Sequence, residues 1–249
     1  MKRRAQLVRA WWLNDWRFRQ AWHRYEVDGI EHILAPGAAL IVGYHGRPSA
    51  HDLCMLQVLL LERHGMVTHA IMHEGVRDVP VLRHLIDGFD FLTGDGPEMV
   101  KAVREGRKII VTPGGTREGF RPSKIQNRVD WGERNGFVKL AIKHNLPIIP
   151  VAGVGVDRTF WSPVDGNTLG KALGERWGLP PNVPTYVGVG PFGLWPFSLP
   201  FPVKIRSRVG VPITDHLGKD PADRACLQAV GAQVRAAVQT LLDRPSGES

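Results

Sequence analysis

Two short blocks of this chain hold the residue types best suited to chemistry. The first is "YHGRPSAHD", residues 44–52, in which six residues separate His45 from Asp52. A neutral imidazole can take a proton near pH 7, and a neighbouring carboxylate fixes its tautomer and favours the imidazolium that forms. The same residues also read as a polar pair at a strand-to-helix turn, with Asp52 favoured by a helix N-terminus. His51 is a second-ranked partner for either reading. The second block is "VTPGGTREGFR", residues 111–121. Gly114 and Gly115 allow backbone N–H groups to approach a ligand closely. Thr116 supplies a hydroxyl, and Arg117 a planar fork suited to phosphate or carboxylate. Glu118 is placed to order Arg117 or Arg121, or to stand as a solvated loop acid. Lys124 and Arg128 extend a basic rim. Taken alone, Pro-Gly-Gly is an ordinary turn.

Other chemistries find less support. His64, His69 and His73 invite a metal, but His69 and His73 straddle a strand end and share no helix face, and no acidic third ligand stands out, so no metal is expected. No Gly-x-Ser-x-Gly elbow marks a serine hydrolase. A Gly-x-Gly-x-x-Gly at Gly188, Gly190 and Gly193 carries no weight, because Pro191 and Pro196 keep it from opening a helix. Cys54 and Cys226 are the only cysteines; they imply no disulfide framework, and Cys54 reads as a packed thiol.

The elements that must position these blocks alternate. "ALIVGY", "MVTHAIM", "FDFLTG", "RKIIVTP", "PIIPVAGVG" and "VKIRSRVGVPI" read as strands, with helices expected over 51–63, 78–86, 97–105, 136–144 and 222–242. Continuous β-branched runs between helices predict an α/β fold: a mixed, largely parallel sheet flanked by helices. Sites in such sheets form where strands end and helices begin. Both blocks occupy that kind of place.

With 249 residues and 43% hydrophobic content, the chain suits one domain over residues 26–244, preceded by a helix over 1–25 and followed by a flexible tail over 245–249. The net charge of +8 favours an anionic partner. The first 25 residues hold seven Lys/Arg, one acid (Asp15) and four of the eight Trp. At helical spacing Leu7, Val8, Trp11, Trp12, Phe18 and Trp22 share one broad side. That suits a helix lying in an anionic membrane interface, or one docked on the protein's own core; nucleic acid is a weaker third option. "VGVGPFGLWPFSLPFPV", residues 187–203, is uncharged and aromatic, and its prolines oppose a regular helix or central strand. It suits internal burial, or a loop dipping into an interface or acyl pocket. No run reaches the roughly 20 apolar residues of a membrane span, and no signal peptide is visible. The expectation is a peripheral protein on a cytoplasmic membrane face.

"YHGRPSAHD", "PGGTREG" and "NLPIIPVAGVG" together resemble, in order and spacing, the motifs of the glycerolipid acyltransferases of the lysophosphatidic-acid-acyltransferase superfamily. The resemblance spans residues 27 to 215. That family carries His-x4-Asp, then Phe-Pro-Glu-Gly-Thr-Arg, then an apolar strand containing proline. Here the His-to-Asp spacing is longer by two. Gly114 stands where the family has Glu, while Gly115, Thr116 and Arg117 keep their places. "GFDFLTGD" lacks the Arg of the family's second motif. The Pro-Gly-Gly form and the Tyr-His-Gly start resemble the branch containing mono- and diacylglycerol acyltransferase-like proteins. The resemblance implies acyl transfer from acyl-CoA or acyl-ACP, as co-substrate and with no further cofactor, to a hydroxyl of a glycerolipid or lysophospholipid. His45 would be the general base, Asp52 its orienting carboxylate, and residues 114–118 the substrate-binding loop. The alternatives are a catalytically altered lipid-binding protein on the same fold, and an acyltransferase acting on a long-chain alcohol.

Overall fold

In the computed structural model, residues 2–71, 91–92, 94–177 and 185–245 are described. The helix expected over 78–86, His73, parts of the "FDFLTG" strand and the last four residues of the expected tail lie outside them. Among the described residues, six strands make one sheet: β1 (Glu26–Asp28), β2 (Ala39–Gly43), β3 (Thr68–Ala70), β4 (Lys108–Val111), β5 (Ile148–Val154) and β8 (Arg206–Val209). Their spatial order is β1-β8-β5-β2-β4-β3. All neighbours run parallel except the antiparallel pair β5–β8, so the sheet is the mixed, largely parallel one expected.

β2 is central and buried along its whole length. Leu40 and Val42, followed by Tyr44, pack on one face beneath α6 (Gly136–Lys143) and α8 (Arg224–Asp243), while Ala39 and Ile41 pack on the other beneath α3 (His51–His64). A strand covered on both faces has no solvent side to fill with polar residues, which explains the unbroken apolar run. α3 stops at Gly65, whose left-handed backbone (φ 61°) returns its N–H to the Leu60 and Leu61 carbonyls. The Asp223 carboxylate caps α8 by accepting from the Ala225 and Cys226 N–H groups at 2.9 and 3.1 Å.

The N-terminal helix α1 (Lys2–Trp22) corrects the one-sided reading of its pattern. It docks through Trp16, Trp12 and Leu13 onto Met55 and Val58 of α3, and the Gln20 amide donates to the Met55 carbonyl at 2.8 Å. Leu7, Trp11 and Phe18 lie about half a turn away and remain exposed. The helix therefore has two apolar faces, one used by the protein and one left open. No described helix is long and apolar enough to cross a membrane.

The sequence reading missed β1, α2 (Glu31–Leu34), α5 (Thr116–Gly119) inside the second block and α7 (Gly166–Trp177). The 187–203 segment forms a small hairpin of β6 (Val189–Gly190) and β7 (Gly193–Leu194), outside the main sheet. α4 (Pro97–Arg104) starts with Pro97 in its first turn, where no N–H is needed.

Candidate active site

β4, β2 and β5 are adjacent and parallel, with Val42 level with Val111 and Gly43 level with Val151. Their C-terminal exits therefore open side by side, and residues 44–48, 112–119 and 155–157 converge there. His45 follows β2 at this convergence. Its backbone N–H donates to Glu118 Oε2 at 2.9 Å. Its Nδ1 has no hydrogen-bond partner among the described residues and lies against Gly119, where a Cβ would stand 2.6 Å from Nδ1 and 2.7 Å from Cε1. Burial lowers the imidazole pKa to about 4, so the ring is neutral at pH 7.

Glu118 is neither a solvated acid nor the partner of Arg117 or Arg121. It is buried, and its two oxygens accept from the backbone N–H groups of His45 and of Asp130 at 2.9 and 2.7 Å. Burial pushes its pKa up to about 8, against the two donors that pull it down. Its Oε2 occupies the space a side chain at position 114 would need: a Cβ on Gly114 would meet that oxygen at 2.1 Å. The glutamate missing from the resembled motif at position 114 thus has a carboxylate in its neighbourhood, supplied four residues further along.

Asp52 lies in the first turn of α3 and is fully buried. Carrying the β2–β5 register two residues on sets Gly153 beside His45, and the Asp52 carboxylate packs on that glycine, where a Cβ would meet Oδ2 at 2.2 Å. Among the described residues neither carboxylate oxygen has a hydrogen-bond partner, so the His45–Asp52 bond expected from the motif is not made in this conformation. The helix start and the turn fix Asp52 toward β5, while the His45 Nδ1 faces the β4 side. Burial raises the Asp52 pKa to about 7. The Tyr25 hydroxyl holds the backbone here, donating to the Asp52 carbonyl at 3.0 Å and accepting from Ser207 Oγ at 2.7 Å. His51 points away from the pair, edge-on to Trp16 at 5.3 Å and Phe160 at 6.3 Å.

Arg117 and Thr116 are exposed, and Arg117 pairs with Asp130 at 2.9 Å. Asp130 thereby links the exposed arginine to the buried Glu118 through one residue. The Gly114–Gly115 turn is braced from outside by Arg134, whose Nη1 donates to the Pro113 and Gly114 carbonyls at 3.0 and 2.9 Å. Lys124 and Arg128 are exposed, as a basic rim requires.

The sequence reading missed a buried ionic cluster under the site. Asp157, in the turn after β5, accepts from the Tyr44 hydroxyl and from the Asn127 N–H at 2.8 Å. Arg47 and Arg121 approach its carboxylate at 3.6 and 3.5 Å. Arg47 also donates to the Asp157 carbonyl and, at 2.8 Å, to Ser123 Oγ. The cluster ties all three strand exits together. The available signal was three charged residues at or just beyond the motif blocks, Arg47 and Arg121 inside the first two and Asp157 two residues after the apolar third.

The acyltransferase family profile matches residues 24–154 and the diacylglycerol acyltransferase profile residues 97–244. The chain belongs to the acyltransferase family. A human protein described as a "DGAT1/2-independent enzyme synthesizing storage lipids" is 32% identical over 223 residues, covering 90% of this chain and 62% of the relative. An uncharacterized Mycobacterium tuberculosis protein is 28% identical over 233 residues, covering 91% of this chain and 63% of its own length. The chain thus spans less than two thirds of these curated relatives. The crystal structure of the 1-acyl-sn-glycerophosphate acyltransferase of Thermotoga maritima superposes with a TM-score of 0.53 at 18% identity, covering 97% of this chain and 83% of that one. That likeness concerns the fold, including the flanked mixed sheet.

Proposed function

We propose that this chain moves a fatty acyl group from an acyl thioester, carried by coenzyme A or acyl carrier protein, to a hydroxyl of a glycerolipid or lysophospholipid. The observation carrying this reading is a neutral imidazole, pinned through its backbone by Glu118, where three parallel strands end. The neutral form is the one that accepts a proton. His45 takes the proton of the acceptor hydroxyl as that oxygen attacks the thioester carbonyl. The imidazolium then returns the proton to the departing thiolate, so no acyl-enzyme is formed. Asp52, whose two carboxylate oxygens have no partner among the described residues, stabilises the imidazolium once the ring turns toward it. Their hydrogen bond forms when the ring turns in the substrate complex, since catalytic hydrogen bonds in free enzymes often tighten only there. Arg117, reachable from solvent, meets a phosphate of the acceptor or acyl carrier, and residues 114–118 shape the loop that receives it. The exposed Leu7, Trp11 and Phe18 of α1, with Arg9 and Arg17 exposed on the same helix, suit an anionic membrane surface on the cytoplasmic side.

The test is transfer by purified protein from labelled acyl-CoA or acyl-ACP to a panel of lysophospholipid, monoacylglycerol, glycerol and long-chain alcohol acceptors. His45→Ala should lower the rate by about 10²–10⁴-fold. A folded, equally active His45→Ala protein overturns the assignment. The unmade His45–Asp52 bond favours one second reading, a lipid-binding protein that has lost catalysis. Its signature is vesicle binding without transfer to any acceptor.

A further inference from the structure

The β6–β7 hairpin presents an apolar surface that the described residues leave uncovered. Phe192 is 72%, Leu194 57% and Phe197 95% exposed, and Trp161, paired with Val189 at the hairpin's base, is 56% exposed. No charged residue occurs between residues 187 and 203. Cations border this tip. Arg158 is exposed three residues before Trp161, and the Arg24 guanidinium donates to the Pro202 carbonyl at 3.0 Å. The Trp22 indole N–H donates to the Pro200 carbonyl at 3.0 Å, and Trp22 stacks on Phe18 at 5.7 Å. The segment that leaves the hairpin is therefore fastened to the end of α1, where the helix's open apolar stripe finishes.

On the inner side, aromatic rings lead from the hairpin to the site. Trp195 meets Tyr186 edge-on at 5.7 Å, and Tyr186 meets Phe120 at 5.7 Å. Phe120 follows Gly119, the glycine against which the His45 ring rests. Tyr186 is buried, and among the described residues its hydroxyl has no hydrogen-bond partner.

We infer that the β6–β7 hairpin is a lip that enters the acyl region of an anionic bilayer and that lipid chains pass over it, along Trp195, Tyr186 and Phe120, to His45. This rests on the proposed acyl transfer for the destination of the path but not for the seating on a membrane. Uncharged Phe, Leu and Trp at a tip, bordered by Arg, are the side chains an anionic interface accepts. A protein partner would be expected to meet a broader and flatter patch than a two-residue-strand hairpin.

The experiment is co-sedimentation of the full chain with vesicles of phosphatidylcholine and phosphatidylglycerol at 3:1. Phe192→Ser/Phe197→Ser is compared with the conservative Phe192→Trp/Phe197→Trp. Both pairs are exposed, and their thermal unfolding is checked against the unaltered chain. The serine pair should lower vesicle partitioning at least tenfold, and the tryptophan pair should keep it within twofold. The ratio of activity on a vesicle-borne acceptor to activity on a dispersed short-chain acceptor should fall at least tenfold in the serine pair. Partitioning within twofold of the unaltered protein in the serine pair overturns the inference. So does a drop from dimer to monomer by light scattering with vesicle binding kept, which would make the tip a contact between copies. Loss of vesicle binding in a chain without transfer activity would leave the lip standing and remove only the catalytic reading.

Discussion

The contact between Gly114 and Glu118 makes a prediction that can be worked through. Gly114 has no positive φ, so an alanine there is opposed only by space, and all three nearest atoms to its Cβ belong to Glu118, at 2.1, 2.2 and 2.4 Å. Gly114→Ala must displace a carboxylate that satisfies two backbone N–H groups. Overpacking of this kind costs about 1–3 kcal/mol. Glu118→Ala leaves the His45 and Asp130 N–H groups without acceptors, at about 1–3 kcal/mol each where water cannot replace them. In the double variant the obstacle to the new methyl group has gone, so it should be about as stable as Glu118→Ala alone. The coupling energy should then be about 1–3 kcal/mol, measured from urea unfolding of the four chains. Transfer activity should fall in Gly114→Ala as well, because the backbone of His45 loses its anchor. Additivity within about 0.5 kcal/mol would refute the idea that Glu118 fills the place left by Gly114.

Gly119→Ala should lower kcat by at least tenfold in the transfer assay, because its Cβ would press on the His45 ring at 2.6 Å. Asp157→Asn should lower the unfolding free energy by about 3–5 kcal/mol in urea, since it leaves the buried Arg47 and Arg121 without their counter-charge. Asp52 has its pKa raised from 3.8 to about 7, so between those values the folded chain binds a proton that the unfolded chain has lost. Stability from this group is present below pH 4 and is lost as pH rises toward 7. Asp52→Asn should therefore gain on the unaltered chain over that range, by up to about 4 kcal/mol, while the opposite contribution of the depressed His45 pKa cancels in the comparison. A pH-independent difference in urea midpoints would contradict it.

The sheet was legible because its central strands are buried on both faces: "ALIVG" and "IIPVAGV" have no polar alternation to confuse with a helix. β1 was not, since "EVD" is three half-buried residues whose pairing with β8 is decided by contacts from far along the chain. The α1 pattern was legible as apolar and basic but not as two-faced. Trp16 docks and Trp11 does not, and both are tryptophans. Only the position of Met55 and Val58 on α3 decides which one is covered.

The candidate site was legible by residue type, and what stayed hidden was which glycine admits which side chain. Gly46 lies against Val156, Gly114 against Glu118, Gly119 against His45 and Gly153 against Asp52, each so close that a Cβ would stand 2.1 to 2.6 Å from its neighbour. Two of these glycines, Gly114 and Gly119, sit in the loop first read as a phosphate cradle. Their missing side chains make room for the protein's own carboxylate and imidazole, and the exposed Arg117 and Thr116 are left to face a ligand. One loop therefore does two separate jobs, holding the base from inside and meeting an anion from outside. Substitutions should divide accordingly. Changes at Gly114, Glu118 or Gly119 should lower kcat and stability together, whereas Arg117→Ala, exposed and paired with Asp130, should raise KM and leave the urea midpoint nearly unchanged. An Arg117→Ala protein that loses kcat and stability in step would mean that the loop cannot be divided in this way.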